Sequence, residues 1–221
     1  MYIATSSTLY RLDRLPPTKI GDFVLPQPQP RWEFVTQGIR DIAVDSRGRI
    51  FGLTHHHLYA VDPKTARLTH IGPTSDAIDD VERISNISVI IHQGRDLLIG
   101  VNDKAKVFEI DPATAARKQI AEIGGGCGEI AWTSGRLLTL ISSPSPGSGP
   151  CVAAVDLDRG SSSCIAPLDE WPHSLTSYWG TPMALVGDEM AALHPMTMQL
   201  LPSRAPLQLG KPVVAIASGV K

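Results

Sequence analysis

Polar and apolar positions along this chain repeat in a fixed order. Four segments share one ending, an apolar-x-x-apolar strand closed by aspartate: LYRLD (9–13), LYAVD (58–62), VFEID (107–111) and VAAVD (152–156). Their aspartates are 49, 49 and 45 residues apart. Before each lies a short apolar strand: YIAT (2–5), IFGLT (50–54), LLIGV (97–101) and LLTLI (137–141). After each comes a turn rich in Pro, Asp and Thr, as in DPKTARL and DPATAARK, and then an outer strand. Proline cannot continue a central ladder, and Asp and Thr side chains satisfy the backbone of turns. A further strand opens three of the sets, DIAVD (41–45), ISVII (87–91) and EIAWT (129–133), each leaving through a glycine turn.

A period in the forties with four strands per copy predicts the blades of a β-propeller. A fifth, degenerate copy is traced through PMALVGDEMAALHPMTMQLLP (182–202), with APLQL (205–209) as its outer strand. The first copy lacks its opening strand, and the last segment carries an unused one, VVAIA (213–217). The expected fold is therefore all-β: a five-bladed propeller of four-stranded antiparallel blades. Strand 213–217 would join the N-terminal blade, closing the ring and hiding its edges. Residues 1–221 form one expected domain, with about 44 residues per blade. A two-sheet sandwich would also suit short, evenly spaced strands, but the repeat register and the complementary ends favour the ring.

Runs such as GIRDIAVDSRGRIFGLTHHHLYAVDPKTARLTHIG (38–72) resemble the β-propeller repeat superfamily, in particular NHL-like, YncE-like and PQQ-like blades. The resemblance covers nearly the whole chain and implies architecture. It does not choose a function, because such blades serve enzymes, sugar binders and protein docking platforms alike.

Bulk composition narrows the partners. The 221 residues carry a formal net charge of −2, with no basic run, so nucleic acid and anionic membrane are not expected. No apolar stretch is long enough to span a bilayer. No signal peptide is visible at MYIATSSTLYRLD, which suits a cytoplasmic chain or a mature fragment of a secreted or periplasmic one. A monomer and no cofactor are expected. Three cysteines are present: Cys127 stands alone, and Cys151 and Cys164 flank a predicted hairpin across which they could pair. The odd count and the missing signal favour reduced thiols.

The loops entering the innermost strands, with the hairpins between second and third strands, should share one face. Three of the four tryptophans fall in them: Trp32, Trp171 and Trp179, with Phe34, His173 and Tyr178 beside them. Such aromatics suit a protein partner or a small ligand such as a glycan, and equally suit capping of the blade ends. Aligning the inner strands puts Asp41, Ser88, Glu129, Met183 and Val214 at one level. Asp41 and Glu129 would face across the pore as a carboxylate pair of the kind that runs glycoside hydrolysis. A metal-dependent, lactonase-like site would draw on Asp41, Asn86 and Glu129. Within the histidine run 55–57, alternation would let His55 and His57 point together as weak metal ligands. The leading expectation is a non-catalytic binding or scaffold module. A propeller hydrolase using Asp41 and Glu129 is the alternative. The aspartates 13, 62, 111 and 156 recur with the repeat and are read as turn structure.

Overall fold

The computed structural model describes residues 1–26, 38–75, 83–123, 127–142, 149–178 and 180–219. They form five four-stranded antiparallel sheets. The first blade pairs β1 (Tyr2–Thr5), β2 (Thr8–Arg11) and β3 (Thr18–Asp22) with the C-terminal strand β20 (Val213–Ala217). The second holds β4 (Asp41–Val44), β5 (Ile50–Leu53), β6 (His57–Val61) and β7 (Leu68–Pro73). The third holds β8 (Ile84–His92), β9 (Arg95–Asn102), β10 (Lys106–Ile110) and β11 (Arg117–Glu122). In the fourth are β12 (Cys127–Thr133), β13 (Arg136–Ser142), β14 (Pro150–Asp156) and β15 (Ser161–Pro167). The fifth is β16 (Ser174–Tyr178), β17 (Thr181–Val186), β18 (Glu189–Leu193) and β19 (Leu200–Pro206). The innermost strands β20, β4, β8, β12 and β16 touch in that order and close on themselves, so the chain is a five-bladed propeller. Ring closure is antiparallel, with Ile3 opposite Ile216 and Ala4 opposite Ala215.

Each blade presents apolar side chains from both faces, because each packs against two neighbours. The core is thus a set of wedges between blades. Ile42, Val44 and Tyr59 of the second blade meet Ala4, Leu9 and Ala215 of the first. Ile84, Ile87 and Phe108 of the third blade meet Phe51, Leu53 and Leu58 of the second. The closing wedge joins Ile3 and Ile216 to Leu185, Met190 and Leu207. Glycine is required where an outer strand meets the next blade's turn: a Cβ on Gly21 would come within 2.7 Å of the Thr65 carbonyl oxygen.

The repeated aspartates close those turns. Asp62 Oδ1 accepts from the amides of Lys64 and Thr65, Asp111 Oδ1 from Ala113 and Thr114, and Asp156 Oδ1 from Asp158 and Arg159. Asp13 differs, pairing at 3.1 Å with exposed Arg11. In the fifth blade His194 takes the aspartate's place, its Nδ1 accepting from the amides of Met196 and Thr197. Ala66, Ala115 and Met198 adopt positive φ at matching points of these turns (60°, 62° and 55°).

Two expectations are corrected. The fifth blade is displaced by one strand: its innermost strand is SLTSY (174–178), and PMALV lies in the second strand rather than the first. Met183 therefore does not share the inner level with Asp41 and Glu129. The thiols of Cys151 and Cys164 are not both reduced; they form a disulfide across β14 and β15, with Cα atoms 5.8 Å apart. The hairpin register sets Cys164 opposite Ala153, two residues from Cys151, and the bulge between Val152 and Ala153 then sets Cys151 opposite Pro167. Cys127 lies in β12, and its side chain is outside the described residues.

Candidate functional site at the mouth of the ring

The inner strands leave almost no channel: the axial cavity lined by Asp41, Ser88, Glu129, Ile130 and Thr176 measures about 30 Å³. That is room for about one water molecule. Above it, on the face where chains enter the inner strands, the ring opens into a cavity of about 950 Å³. Arg40, His55, Asn86, Glu129, His173 and Lys211 are among its lining residues. Each is placed by a strand entrance or a second-to-third-strand hairpin, the positions where loops ride on rigid sheet.

Asp41 and Glu129 open neighbouring regions of the inner ring, and their environments divide them. Asp41 is 4% exposed. Its Oδ1 accepts from the amide of Ile42 at 2.8 Å, and its Oδ2 from the amide of Ile87 in the next blade at 2.7 Å. Both oxygens are thus engaged in lashing blade two to blade three. Burial pushes the Asp41 carboxyl up to about 7, against the pull of those two amides and of Arg40. Glu129 lines both the channel and the mouth. Asn86 Nδ2 donates to its Oε1 at 2.5 Å. Burial, then the nearby charge of Asp41, raises Glu129 well above the usual carboxylate range. Asn86 and the Ser174 hydroxyl pull the other way, although Ser174 Oγ has no partner at hydrogen-bonding distance.

Arg40 precedes β4 and is held by its backbone amide on the Leu53 carbonyl (2.8 Å). Its Nη1 donates to Nδ1 of His55 at 3.0 Å. His55 accepts as a neutral ring, because burial, then Arg40 and Arg83, lower it to about 4. No carboxylate among the described residues forms an ion pair with Arg40.

The other sequence candidates scatter. His173 reaches the mouth, its amide bonded to the Leu185 carbonyl at 2.7 Å. Trp171 stands 43% exposed on the same entering loop. Tyr178 ends β16 and lines the cavity at the opposite end of the ring, so it does not join them. Trp32, Phe34 and Trp179 lie outside the described residues. His55 and His57 do not point together. Thr54 and His57 close a tight hairpin in which Thr54 N donates to the His57 carbonyl, so the alternation of an extended strand does not apply. His57 is buried instead, its Nδ1 2.9 Å from His70 Nε2. Among the described residues no group of three or more His, Cys, Asp or Glu is arranged to hold a metal ion. The sequence pattern singled out neither Arg40 nor Lys211 as a site residue. Their signal was present in the position of both at strand entrances, since GIRD and GKPV introduce inner strands.

No family model matches the chain, and no curated protein is similar to it. Among solved structures it is similar to a protein of unknown function from Bacteroides caccae, with a TM-score of 0.56 and 11% identity. The match covers 93% of this chain and 72% of that one. A likeness at that identity speaks for the fold alone.

Proposed function

We propose that the chain is a non-catalytic binding propeller, acting as one unit, that takes a small polar ligand into its loop-face mouth. The carrying observation is the shape and lining of that mouth. A cavity of about 950 Å³ is floored by the Asn86–Glu129 pair and walled by Arg40, His55 and His173. Concave sites with a few convergent polar groups are where small ligands bind. His173 in the lining, with exposed Trp171 two residues before it on the entering loop, adds flat surface suited to a sugar ring or to part of a protein partner. The blades are read as NHL-like, YncE-like or PQQ-like on their repeat residues.

Hydrolysis by Asp41 and Glu129 is less well supported. Glu129, raised by burial and by the charge of Asp41, could serve as a general acid. Its partner, however, has both oxygens committed to backbone amides and would have to break the link between two blades to act. A thermal-shift screen of small polar compounds tests the binding reading. At least one compound should raise Tm in the wild type and lose that effect in Glu129→Gln, with no compound turned over. A screen with no Glu129-dependent shift overturns the reading, and turnover abolished by Glu129→Gln replaces it with the enzyme.

A further inference from the structure

One cation of the mouth makes no ion pair among the described residues. Arg40 is half-buried, spends one donor on a neutral histidine, and has no carboxylate at pairing distance among the described residues. Arg83 lies close enough to repel it. Lys211 adds a third cation at the rim, where its Nζ donates to the hydroxyl of Ser7 at 3.2 Å and acts through space on Asp22. The exposed Asp188 lies on the rim, and Asp103, Asp41 and Glu129 act on Arg40 through space without pairing with it. A half-buried guanidinium without a counter-ion is costly, because desolvation is not repaid by pairing. The guanidinium is also a planar fork, matched to carboxylate and phosphate oxygens. Beside it Asn86 gives its amide hydrogen to Glu129 and keeps its carbonyl oxygen as an acceptor, which suits a ligand hydroxyl.

From this arrangement we infer that the mouth binds a small organic oxyanion, a carboxylate or a phosphate monoester, whose charged group sits on Arg40. Lys211 draws it in from the rim, and the Asn86–Glu129 pair holds the ligand's uncharged polar end. The inference rests on the mouth being a ligand site at all, and it adds the sign and chemistry of the ligand. The upward shift of the Glu129 carboxyl is consistent with it, since it weakens a competing negative charge.

Four probes test it on the full chain at matched ionic strength: sodium succinate, inorganic phosphate, glucose and choline. The readout is the amide NMR shifts of Ile39, Arg40 and Ile87. Succinate or phosphate should shift these signals saturably, and Arg40→Met should weaken that binding about tenfold or more. Arg40→Lys should fall between the two, since it keeps the charge and loses the fork. Lys118→Met, on the outer strand β11, should leave binding unchanged. Response to succinate alone identifies a carboxylate ligand, and response to phosphate alone a phosphate. If Arg40→Met does not fold, Arg40→Lys and the exposed Lys211→Gln carry the test, and both should weaken binding. Anion shifts indifferent to all these variants overturn the inference. Shifts from glucose or choline with none from either anion overturn it too, while leaving the ligand-binding mouth standing. Silence from all four probes overturns both.

Discussion

The two ends of the ring hold similar numbers of polar side chains and use them differently. At the end away from the entering loops, a cavity of about 530 Å³ is lined by Thr133, Ser134, Ser177, Tyr178 and Ser218 among others. These hydroxyls spend themselves on one another and on backbone. Thr133 Oγ1 and Ser134 Oγ donate to the Gly180 carbonyl at 3.1 and 3.0 Å, Ser177 Oγ donates to Thr133 Oγ1, and Ser218 Oγ donates to the Ser177 carbonyl. Blades four, five and one are thereby tied together. The one carboxylate there, Asp45, is bound to Arg49 and to the amides of Arg47 and Arg49. At the entering-loop end, among the described residues, Arg40 forms no ion pair with a carboxylate and the Ser174 hydroxyl has no partner within hydrogen-bonding distance. Saturated polar groups build structure, whereas half-satisfied ones in a concave site point to an occupant.

Asp41 belongs to the entering-loop end by position and to the saturated class by its bonds, so it is the sharpest place to break the comparison. Asp41→Ala leaves the amides of Ile42 and Ile87 buried without an acceptor. It should cost about 3 kcal/mol in urea unfolding. Glu129→Gln, on the next accessible carboxyl, should leave the unfolding midpoint nearly unchanged and alter ligand binding only. Equal losses of stability in the two variants would mean that both carboxylates are structural.

Titration gives the next largest effect. Asp41 holds its proton up to about pH 7 in the fold and only to about 3.8 when free, so the folded state binds more protons between those values. Its stabilising contribution is full below that window and is lost as pH rises through 7. Glu129, also raised, acts in the same sense. His57 and His55 oppose them: their fold values of about 4 lie below the ordinary 6.5, so their contribution is full above 6.5 and is lost as pH falls toward 4. Relative to Asp41→Asn, the wild type should therefore lose on the order of 2 kcal/mol of stability from pH 4.5 to 8. Wild-type and Asp41→Asn curves that run parallel across this window would show Asp41 to be ionised in the fold.

Exchanging the two ends in a double comparison gives a smaller effect. Thr133→Val removes two hydrogen bonds of the saturated end and should cost about 1 kcal/mol with ligand binding intact. Arg40→Met should do the reverse, weakening anion binding with less than about 1 kcal/mol of stability lost. Urea unfolding and a binding titration on the same two proteins decide it.

How far the sequence could carry this picture depends on which atoms do the work. The ring, its antiparallel blades and its closure by 213–217 were legible, because side-chain pattern and turn chemistry recur with the period. The innermost strand of the fifth blade was not, because SLTSY offers one aliphatic residue, Leu175, among three short hydroxyl residues and Tyr178. Its run of aromatic neighbours reads as a loop. The division between Asp41 and Glu129 was hidden for another reason: the partners of Asp41 are backbone amides, which leave no mark in a side-chain pattern. Both carboxylates open inner strands, and only the fold shows which one is occupied. The disulfide was legible only as an option, because the placement of Cys151 and Cys164 on two strands of a hairpin allows the bond without requiring it.

The smallest expected effect tests the fifth blade's departure from its siblings. His194 caps its turn as Asp62 and Asp111 cap theirs, accepting from the amides of Met196 and Thr197 at 3.4 and 3.2 Å. The aspartates bond their equivalent amides at 2.7 to 3.3 Å, mostly shorter, and with a charge. Charge-assisted bonds to backbone amides are the stronger kind. His194→Asp should therefore stabilise the chain by about 0.5 kcal/mol at neutral pH, because the backbone is already in the required turn, with Met198 at positive φ. The gain should shrink below pH 4, where the new carboxylate protonates, and ligand binding at the mouth should not change. A loss of stability would mean that the histidine ring makes a packing contribution the aspartate cannot replace, and that the degenerate blade is held by a different balance from the other four.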